Sequence, residues 1–469
     1  MKGRVQCIHF TGIGGIGMSG IAEVLHNQGF TVQGSDAAQS ANVERLRGLG
    51  IQVFVGHAAG QLGKAQVVVV SSAIAADNPE IIEAGMHGIP VIPRAEMLAE
   101  LMRIKQGVAV AGSHGKTTIT SLIAHGMEEA GLDPTFVIGG RLIASGDNAR
   151  LGESPYLVAE ADESDGSFLH LSPVIAVVSN IDPEHLDHYG DFDHLLDAFR
   201  QFIASVPFYG CAVLNHEHPH VALLRDNLHK PVRTYGHSLQ ADIHLLESLP
   251  DADGQQLKIG FSGSDETMDC RLSMPGPHNA ENALAAVAVL RELAVDLPTI
   301  AQAMASFSGI QRRFQTTALA AGVLVDDYAH HPREIVATLV TVRQCWPDQL
   351  PLVIFQPHRF TRSRDLMNDF LGAFDDAGEV VLLPIYAASE QPIEGVNSEA
   401  MAAAMQHRGH KNVRYCAGLD EARDIAADAL REGRIVLMMG AGSIGGLAVS
   451  LRHEMQEDSQ EDLAPENIA

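Results

Sequence analysis

One segment, VAVAGSHGKTT at residues 108–118, constrains the fold more than any other part of the sequence. A run of small apolar residues leads into a glycine-containing loop that ends in Lys116, and a stretch compatible with a helix begins at about Ile119. The apolar run before the loop is typical of a strand that is buried on both faces, and such strands occur in parallel sheets covered by helices on each side. The segment therefore predicts an α/β fold built on parallel sheets.

Strand-like runs rich in Val and Ile alternate with helical stretches along the whole chain. The clearest runs are residues 67–70, 108–111, 174–178, 352–355, 380–383 and 435–439. Polar breaks near residues 103–107 and 308–315 divide this alternation into three blocks, and 469 residues at roughly 150 residues per domain also suggest three domains. We therefore predict three α/β domains. Their predicted bounds are residues 1–103, 104–309 and 310–469.

The composition excludes several classes of protein. The chain has 58 Asp and Glu against 32 Lys and Arg, a formal net charge of −26, so we expect no nucleic-acid partner. Its five cysteines are scattered and form no C-x-x-C pair, which argues against a disulfide framework or a zinc site. The sequence shows no secretory signal and no membrane-spanning stretch, so we expect a cytoplasmic protein without membrane insertion. We expect the acidic tail after Arg452 to be a frayed, solvated end.

The loop of the first segment predicts an ATP site. Backbone N–H groups would hold the β-phosphate, Lys116 would bridge β- and γ-phosphate oxygens, and the Thr117 hydroxyl would ligate Mg²⁺. Val110 stands where the usual G-x-x-x-x-G-K-[ST] pattern has its first glycine, and Gly112 supplies the flexible position instead. The expected ATP-binding residues of the loop are Gly112, Ser113, His114, Gly115, Lys116, Thr117 and Thr118.

A second glycine loop, GIGGIG at residues 12–17, lies between a predicted strand at 5–10 and a predicted helix at 18–27. Its G-x-G-x-x-G spacing favours a phosphate group at the helix N-terminus, and Asp36 follows at the end of the next predicted strand. A nicotinamide dinucleotide and another nucleotide diphosphate both fit this backbone. A similar pattern at residues 440–445 is either a strand-to-helix turn or a ligand-contacting loop.

Polar clusters follow two further predicted strands. Glu160 leads the acidic run after residues 156–159, and His185 lies in the run after residues 174–178. Because the carboxyl ends of parallel strands meet at one edge of a sheet, we expect both clusters to face the P-loop. Glu160 and Thr117, together with ATP oxygens, would suffice for Mg²⁺ or Mn²⁺, whereas His185 is either a metal ligand or a hydrogen-bonded loop residue. We expect the other acids of the two runs to be solvated.

Two polar segments follow predicted strands of the last block. DDYAHHP covers residues 326–332, and FQPHRFTRSRD covers residues 355–365. Arg359 and Arg362 are three residues apart, so they share a helix face and could clamp a carboxylate. A structural ion pair is the alternative.

The ordered motifs resemble those of the bacterial Mur ligase family. They are GIGGIGMSGIAEVL, SSAI followed by DNPE, AGSHGKTT, EADESDGSF, SNIDPEHLDHYG, PGPHNAENALAA, DDYAHHP and QPHRFTR. The resemblance spans about residues 5–450 and implies three domains. These are an N-terminal Rossmann-like domain for a UDP-sugar, a central P-loop ATPase domain with a mostly parallel sheet, and a C-terminal Rossmann-like domain for an amino acid. It disfavours the nicotinamide hypothesis for the first loop.

The resemblance also implies a reaction, namely ATP-dependent ligation of L-alanine to the carboxylate of UDP-N-acetylmuramate in peptidoglycan precursor synthesis. An acyl phosphate would be the intermediate, and ADP and phosphate would be released. The implied partners are UDP-N-acetylmuramate, L-alanine and ATP with Mg²⁺ or Mn²⁺, and the expected assembly is a monomer or weak homodimer. Three alternatives stay open: a ligase that reattaches a recycled tripeptide, a nicotinamide-dependent oxidoreductase, and a non-catalytic sensor of the same ligands.

The resemblance to the Mur ligase family also implies roles for individual residues. The implied catalytic residues are Lys116, Arg313 and His330, of which His330 would accept the amine proton. Beyond the P-loop, the implied ATP-binding residues are His278, Asn279, Asn282, Asp326 and Asp327. The implied UDP-sugar-binding residues are Gly12, Gly14, Gly15, Gly17, Ser35, Asp36, Ser71, Ser72 and His114. The implied amino-acid-binding residues are Tyr328, His330, Arg359 and Arg362, and the implied metal ligands are Thr117, Glu160 and His185.

Overall fold

The structure is a computed structural model that describes residues 4–71, 73–144, 146, 148–225, 228–319, 321–388 and 390–461. The chain folds into two compact units. The described residues within 1–248, 256–272 and 280–308 form the first unit, and those within 249–255, 273–279 and 309–469 form the second. The described residues form sheets of five, ten and six strands flanked by helices.

The first sheet has the strand order β3-β2-β1-β4-β5, and all its strands are parallel. Its elements in chain order are β1 (Cys7–Thr11), α1 (Ile16–Asn27), β2 (Thr31–Asp36), α2 (Ala41–Gly48), β3 (Gln52–Val55), β4 (Val67–Val70), α3 (Pro79–His87), β5 (Val91–Pro93) and α4 (Arg94–Met102). The strand order reverses between β1 and β4, and ligands of such sheets bind outside the carboxyl ends of the strands at this point. The GIGGIG loop follows β1 and lies there.

The second sheet has the order β15-β14-β13-β12-β11-β10-β6-β9-β7-β8. The elements of this segment up to residue 205 are β6 (Gln106–Ala111), α5 (Lys116–Glu129), β7 (Thr135–Val137), β8 (Ala149–Arg150), β9 (Tyr156–Glu160), a 3₁₀ turn (Ser167–His170), β10 (Ile175–Val178), α6 (Leu186–Tyr189) and α7 (Phe192–Ala204). The remaining elements are β11 (Cys211–Asn215), α8 (Pro219–Ala222), β12 (Val232–Gly236), β13 (Ile243–Asp251), β14 (Gly254–Phe261), β15 (Thr267–Leu272), α9 (Pro277–Glu292) and α10 (Leu297–Ser306). Because β6 pairs in parallel with both β9 and β10, the segments that follow these two strands flank the P-loop.

The third sheet has the order β16-β17-β21-β18-β19-β20. Its elements are β16 (Gln315–Ala318), β17 (Val323–Asp327), α11 (Pro332–Cys345), β18 (Leu352–Phe355), α12 (Phe360–Asp365), α13 (Met367–Ala373), β19 (Glu379–Leu382), α14 (Ser398–Arg408), β20 (Val413–Tyr415), α15 (Leu419–Arg431), β21 (Ile435–Met439) and α16 (Ile444–Glu461). The edge strand β16 is antiparallel to β17, and the other pairs are parallel.

The predicted α/β fold with mostly parallel sheets is confirmed. Central strands are apolar on both faces because helices cover each face, and all five residues of β21 are buried. The glycines at 440–445 form the strand-to-helix turn between β21 and α16. The predicted domain bounds stay predictions. No helix in the described part of the chain combines the length and apolar character needed to cross a membrane.

The expectation of a frayed end directly after Arg452 is wrong. Helix α16 continues to Glu461, and Met455 is buried in the core of the last sheet. Leu451 and Met455 are four residues apart, so they share one helix face and pack inward together. Residues 462–469 lie outside the described part of the chain.

Candidate active site

The P-loop connects β6 to α5, and its backbone requires glycine at two positions. Gly112 has a φ of +133°, and a Cβ there would collide with the Ser179 hydroxyl. Gly115 has a φ of +85°, and a Cβ there would collide with the side-chain oxygen of Asn282. Only glycine adopts such angles without strain. Asn282, an expected ATP-binding residue on α9, therefore lies against the loop.

Residues that follow β10 hold the shape of the P-loop. The Asn180 side chain accepts a hydrogen bond from His114 N at 2.7 Å and donates to His114 O at 3.1 Å. The Ser179 hydroxyl donates to His114 O at 2.7 Å, and the Ser113 hydroxyl accepts from Asp182 N at 2.8 Å. Sequence reasoning did not assign Ser179 and Asn180. The available signal was their place directly after a strand that neighbours β6.

Lys116 is engaged by a buried carboxylate. Its ammonium donates to Glu163 Oε1 at 2.8 Å, to Glu163 Oε2 at 2.9 Å and to Gly112 O at 2.6 Å. Burial lowers the pKa of Lys116, but the Glu163 carboxylate more than offsets it, so the pKa lies above its ordinary value and the ammonium stays charged. The expectation that the remaining acids are solvated is wrong for Glu163 and for Asp182, whose side chains are 2% and 4% exposed.

His114 of the P-loop lies against carboxylates of the segment that follows β10. His114 Nε2 lies 3.3 Å from Asp182 Oδ2 and 3.2 Å from Glu184 Oε1. His185 Nε2 lies 3.8 Å from Glu184 Oε2, so His114 and His185 share Glu184 as a neighbour. Both hypotheses for His185 remain open, because an imidazole beside a carboxylate fits a loop residue as well as a metal ligand.

The predicted metal ligands offer donors that suit a hard divalent cation. Thr117 is the second residue of α5, and Glu160 ends β9. Glu160 Oε1 accepts a hydrogen bond from Gly139 N at 2.6 Å, and Oε2 accepts none from the residues that the structure describes. A hydroxyl and a free carboxylate oxygen are ligands that Mg²⁺ accepts while it keeps several waters.

A pocket of about 270 Å³ in the first unit joins residues of the first and second sheets. It brings Gly15, Gly17 and Ser71, expected at the UDP-sugar, together with the expected metal ligand Glu160. The full lining is Gly15, Ile16, Gly17, Met18, Ser71, Arg94, Leu98, Val137, Ile138, Gly139, Glu160 and Asp162. Sequence reasoning missed Arg94, whose guanidinium lies 3.6 Å from Asp162.

The GIGGIG loop is fixed by its neighbours in the first sheet. Gly12 N and Ile13 N donate to Ser35 O at 2.8 and 2.9 Å. Asp36 Oδ2 accepts from Gly14 N at 2.8 Å, so this carboxylate holds the loop itself. The Ser35 side chain is fully buried and faces the interior. Ser72, another expected UDP-sugar residue, lies outside the described residues.

In the second unit the two aspartates that end β17 are buried and engaged internally. Asp326 accepts a hydrogen bond from Arg312 Nε at 3.2 Å. Asp327 accepts from Phe314 N at 2.9 Å and from Ala329 N at 2.7 Å. Burial raises the pKa of Asp327 to about 6, although nearby Arg313 lowers it. Also in this unit, Asn279 donates to Pro275 O at 2.8 Å, one position after His278.

His330 is surrounded by aromatic rings and arginines. Its ring lies 5.3 Å from the Tyr328 ring and 5.7 Å from the His358 ring, and His358 stacks on Tyr386. Burial lowers the pKa of His330 to about 4, and Glu334 offsets this only in part. His330 is therefore neutral near pH 7, the form that can accept a proton. Sequence reasoning missed His358 and Tyr386.

The two expected carboxylate-binding arginines lie near this histidine pair. Arg362 Nη1 is 3.4 Å from His358 Nδ1, and Arg359 N donates to Tyr386 O at 2.8 Å. Arg359 has a φ of +72°, a strained angle for a residue with a side chain. The charge of Arg359 helps to lower the pKa of the Glu390 carboxyl, so the structure is compatible with both the ligand-binding and the ion-pair hypothesis for this residue.

Comparisons with known proteins identify the family of this chain. Family models described as "Mur ligase family, catalytic domain", "Mur ligase middle domain" and "Mur ligase, glutamate ligase domain" match residues 7–106, 110–290 and 312–442. The UDP-N-acetylmuramate–L-alanine ligase of Halorhodospira halophila is 51% identical over 456 residues, which cover 96% of this chain and 93% of that protein. The chain belongs to the Mur ligase family.

Further proteins are similar over nearly the full length of the chain. The UDP-N-acetylmuramate–L-alanine ligase of Chelativorans sp. is 48% identical over 97% of this chain and 99% of its own. The crystal structure of the UDP-N-acetylmuramate-alanine ligase of Thermotoga maritima superposes with a TM-score of 0.81 at 29% identity, covering 97% of this chain and 99% of that one. A murein peptide ligase of Psychrobacter arcticus shares the fold, with a TM-score of 0.72 at 23% identity over 96% and 98% of the two chains.

Proposed function

We propose that this chain is an ATP-dependent amide-forming ligase that joins L-alanine to the carboxylate of UDP-N-acetylmuramate in peptidoglycan precursor synthesis. The observation that carries the proposal is the 51% identity, over 96% of the chain, to a curated UDP-N-acetylmuramate–L-alanine ligase. The pocket that joins the GIGGIG loop to Glu160 supports it, because residues expected at the sugar nucleotide and an expected metal ligand of the ATP site line the same cavity.

In this reaction a muramoyl carboxylate oxygen attacks the γ-phosphorus of ATP, the bond to the ADP oxygen breaks, and an acyl phosphate forms. The amine of L-alanine then attacks the acyl carbon and expels phosphate. Such chemistry depends on positioning and charge neutralisation. Lys116 and Arg313 neutralise the developing negative charge. Thr117 and Glu160, with His185, would hold Mg²⁺ or Mn²⁺, which supplies further positive charge at the phosphates when it is bound.

The amino-acid end of the proposal rests on the second unit. Arg359 and Arg362 bind the carboxylate of L-alanine, and Tyr328 lines the same site. His330 accepts the proton that the amine loses, because its low pKa keeps it neutral at physiological pH. We also propose His278, Asn279, Asp326 and Asp327 as ATP-binding residues. We further propose a cytoplasmic monomer or weak homodimer with domain bounds at 103–104 and 309–310.

Phosphate release tests the function. The chain is incubated with ATP, Mg²⁺ and UDP-N-acetylmuramate, with and without L-alanine, and the product is analysed by mass spectrometry. The proposal expects alanine-dependent phosphate release and a product heavier by one alanyl residue. Release only with a tripeptide would indicate the peptide-reattaching activity instead, and no release with either would favour a non-catalytic sensor. In the Arg359→Ala variant we expect a raised KM for L-alanine and unchanged KM values for the other substrates.

A further inference from the structure

The glycine turn at residues 440–445 surrounds the guanidinium of an arginine. Arg312 Nη2 donates a hydrogen bond to Gly440 O, and Arg312 Nε donates to Asp326 Oδ1 at 3.2 Å. A Cβ at Gly445 would lie 2.3 Å from Arg312 Cζ, so the guanidinium fits only beside a glycine. The turn therefore closes around a side chain of the protein itself, which explains a glycine pattern that the proposed function does not use.

The hydrogen bond to Asp326 holds Arg312 strongly because the carboxylate is buried. Asp326 is 1% exposed, and Arg452, a second cation, lies farther away, with its Nη2 3.8 Å from Asp326 Oδ2. Removal of the nearer cation from a buried carboxylate leaves its charge poorly compensated, which is costly. Arg312 is therefore fixed at the end of its side chain.

The backbone on both sides of Arg313 is also held in an unusual conformation. Arg312 and Phe314 have φ angles of +60° and +48°, a region that residues with side chains rarely adopt. Arg312 O accepts a hydrogen bond from Tyr328 N at 2.7 Å, and Phe314 N donates to Asp327 Oδ2 at 2.9 Å. The Phe314 side chain is buried. Such angles persist only where the surrounding structure imposes them.

Arg313 lies between these two fixed residues. Its backbone N donates to Ile310 O at 3.2 Å, and its Cζ lies 5.2 Å from the centroid of the Tyr328 ring. A backbone that is fixed on each side limits the directions in which the Arg313 side chain can extend. Charge neutralisation depends on such placement, since a displacement of about 1 Å can cost roughly a hundred-fold in rate.

We propose that Arg312, held between Asp326 and the glycine turn at 440–445, is a positioning residue that places Arg313 for phosphoryl transfer. The inference rests on the proposed function, in which Arg313 neutralises charge that develops on the transferred phosphate. Arg312 itself touches no reacting atom in this proposal. It acts by fixing the backbone from which the Arg313 side chain extends.

Steady-state phosphate release by the full chain tests the proposal. Gly445→Ala places a methyl group where the Arg312 guanidinium lies, so we expect kcat to fall at least ten-fold, with the KM values for L-alanine and UDP-N-acetylmuramate within two-fold of the parent. Gly446→Ala is the matched control and should keep the parent kcat. It adds the same group at the next position of α16, where a Cβ meets no atom within 4 Å outside its own stretch of helix.

Two further variants keep the test decisive if Gly445→Ala folds poorly. Arg312→Met removes the guanidinium directly and should also lower kcat at least ten-fold. In an Arg313→Ala background, either substitution should change kcat by less than two-fold, because a residue that acts only through Arg313 has nothing left to position. A further ten-fold loss in that background overturns the proposal, since a purely structural role would add to the loss of Arg313.

The remaining outcomes separate this inference from the proposed function. A parental kcat in Arg312→Met or Arg313→Ala, or an equal loss of kcat in Gly446→Ala, overturns the positioning role and leaves the ligase function standing. A raised KM for L-alanine with an unchanged kcat overturns it as well, because Arg312 would then act on Tyr328. If the parent releases no alanine-dependent phosphate, the proposed function and this inference both fail.

Discussion

Replacing Glu163 by glutamine tests whether this carboxylate and the phosphates of ATP compete for Lys116. The ammonium gives Glu163 two hydrogen bonds of 2.8 and 2.9 Å, at a carboxylate that is 2% exposed. A hydrogen bond to a charged group contributes roughly 1.5–3 kcal/mol, and glutamine retains one neutral acceptor. Lys116 also keeps Gly112 O, so we expect Glu163→Gln to destabilise the protein by about 2 kcal/mol in the absence of ATP.

Bound ATP relieves that loss because its phosphate oxygens supply the missing negative charge. A difference of about 2 kcal/mol between the two states corresponds to roughly thirty-fold tighter binding. We therefore expect the Kd for Mg-ATP, measured by calorimetry, to fall ten- to thirty-fold in Glu163→Gln. Glu247→Gln, an exposed glutamate on β13, should leave it unchanged. An unaltered or higher Kd in Glu163→Gln would refute the reasoning, since Lys116 would then keep Glu163 as its partner beside the nucleotide.

Three further predictions concern proton acceptance and stability. If His330 is the base, its pKa of about 4 should keep the enzyme active as the pH falls from 7 toward 5, which activity measured against pH checks. Because the pKa of His330 is lower in the folded protein than the ordinary value of 6.5, the stability that the neutral ring contributes above pH 6.5 should be lost as the pH falls toward 4, which unfolding measured against pH checks. Asn148 donates to Ile16 O at 2.6 Å, so Asn148→Ala should cost about 1–3 kcal/mol and speed hydrogen exchange at the start of α1. Lys230 donates to three carbonyls at the end of α7, so Lys230→Met should cost about 1 kcal/mol in denaturant unfolding, whereas exposed Lys258→Met should cost nothing measurable.

The fold class could be predicted from the sequence because its signals are local. Buried strands such as β21 are short apolar runs, and each glycine-rich loop predicts a turn between a strand and a helix. The antiparallel strands β8 and β16 were not predicted, because two- and four-residue segments at the edge of a sheet carry no periodicity. The prediction of a frayed tail after Arg452 was wrong because it relied on the acidic composition of the segment. The segment also contains Met455, which is buried in the core and holds the helix against it.

The candidate site was only partly predictable. The glycines and Lys116 follow motifs whose chemistry is readable from a dozen residues. Glu160 and Glu163 stand three positions apart in one acidic run, and nothing in that run says which carboxylate is buried against Lys116. Glu80 looks like an ordinary acid in the first turn of a helix, yet tertiary packing buries it against Ser35, whose carbonyl holds the GIGGIG loop.

The residues that sequence reasoning missed share a physical cause. Glu163 lies 47 positions from Lys116, Asn180 lies 66 positions from His114, and Glu80 lies 45 positions from Ser35. A parallel sheet places the carboxyl ends of strands from distant parts of the chain side by side, so residues that orient a loop come from the segments beyond neighbouring strands. A motif is sufficient to identify the groups proposed to touch the ligand. The groups that fix their charge become identifiable only once the strand order is known, and Glu163→Gln probes one of these groups.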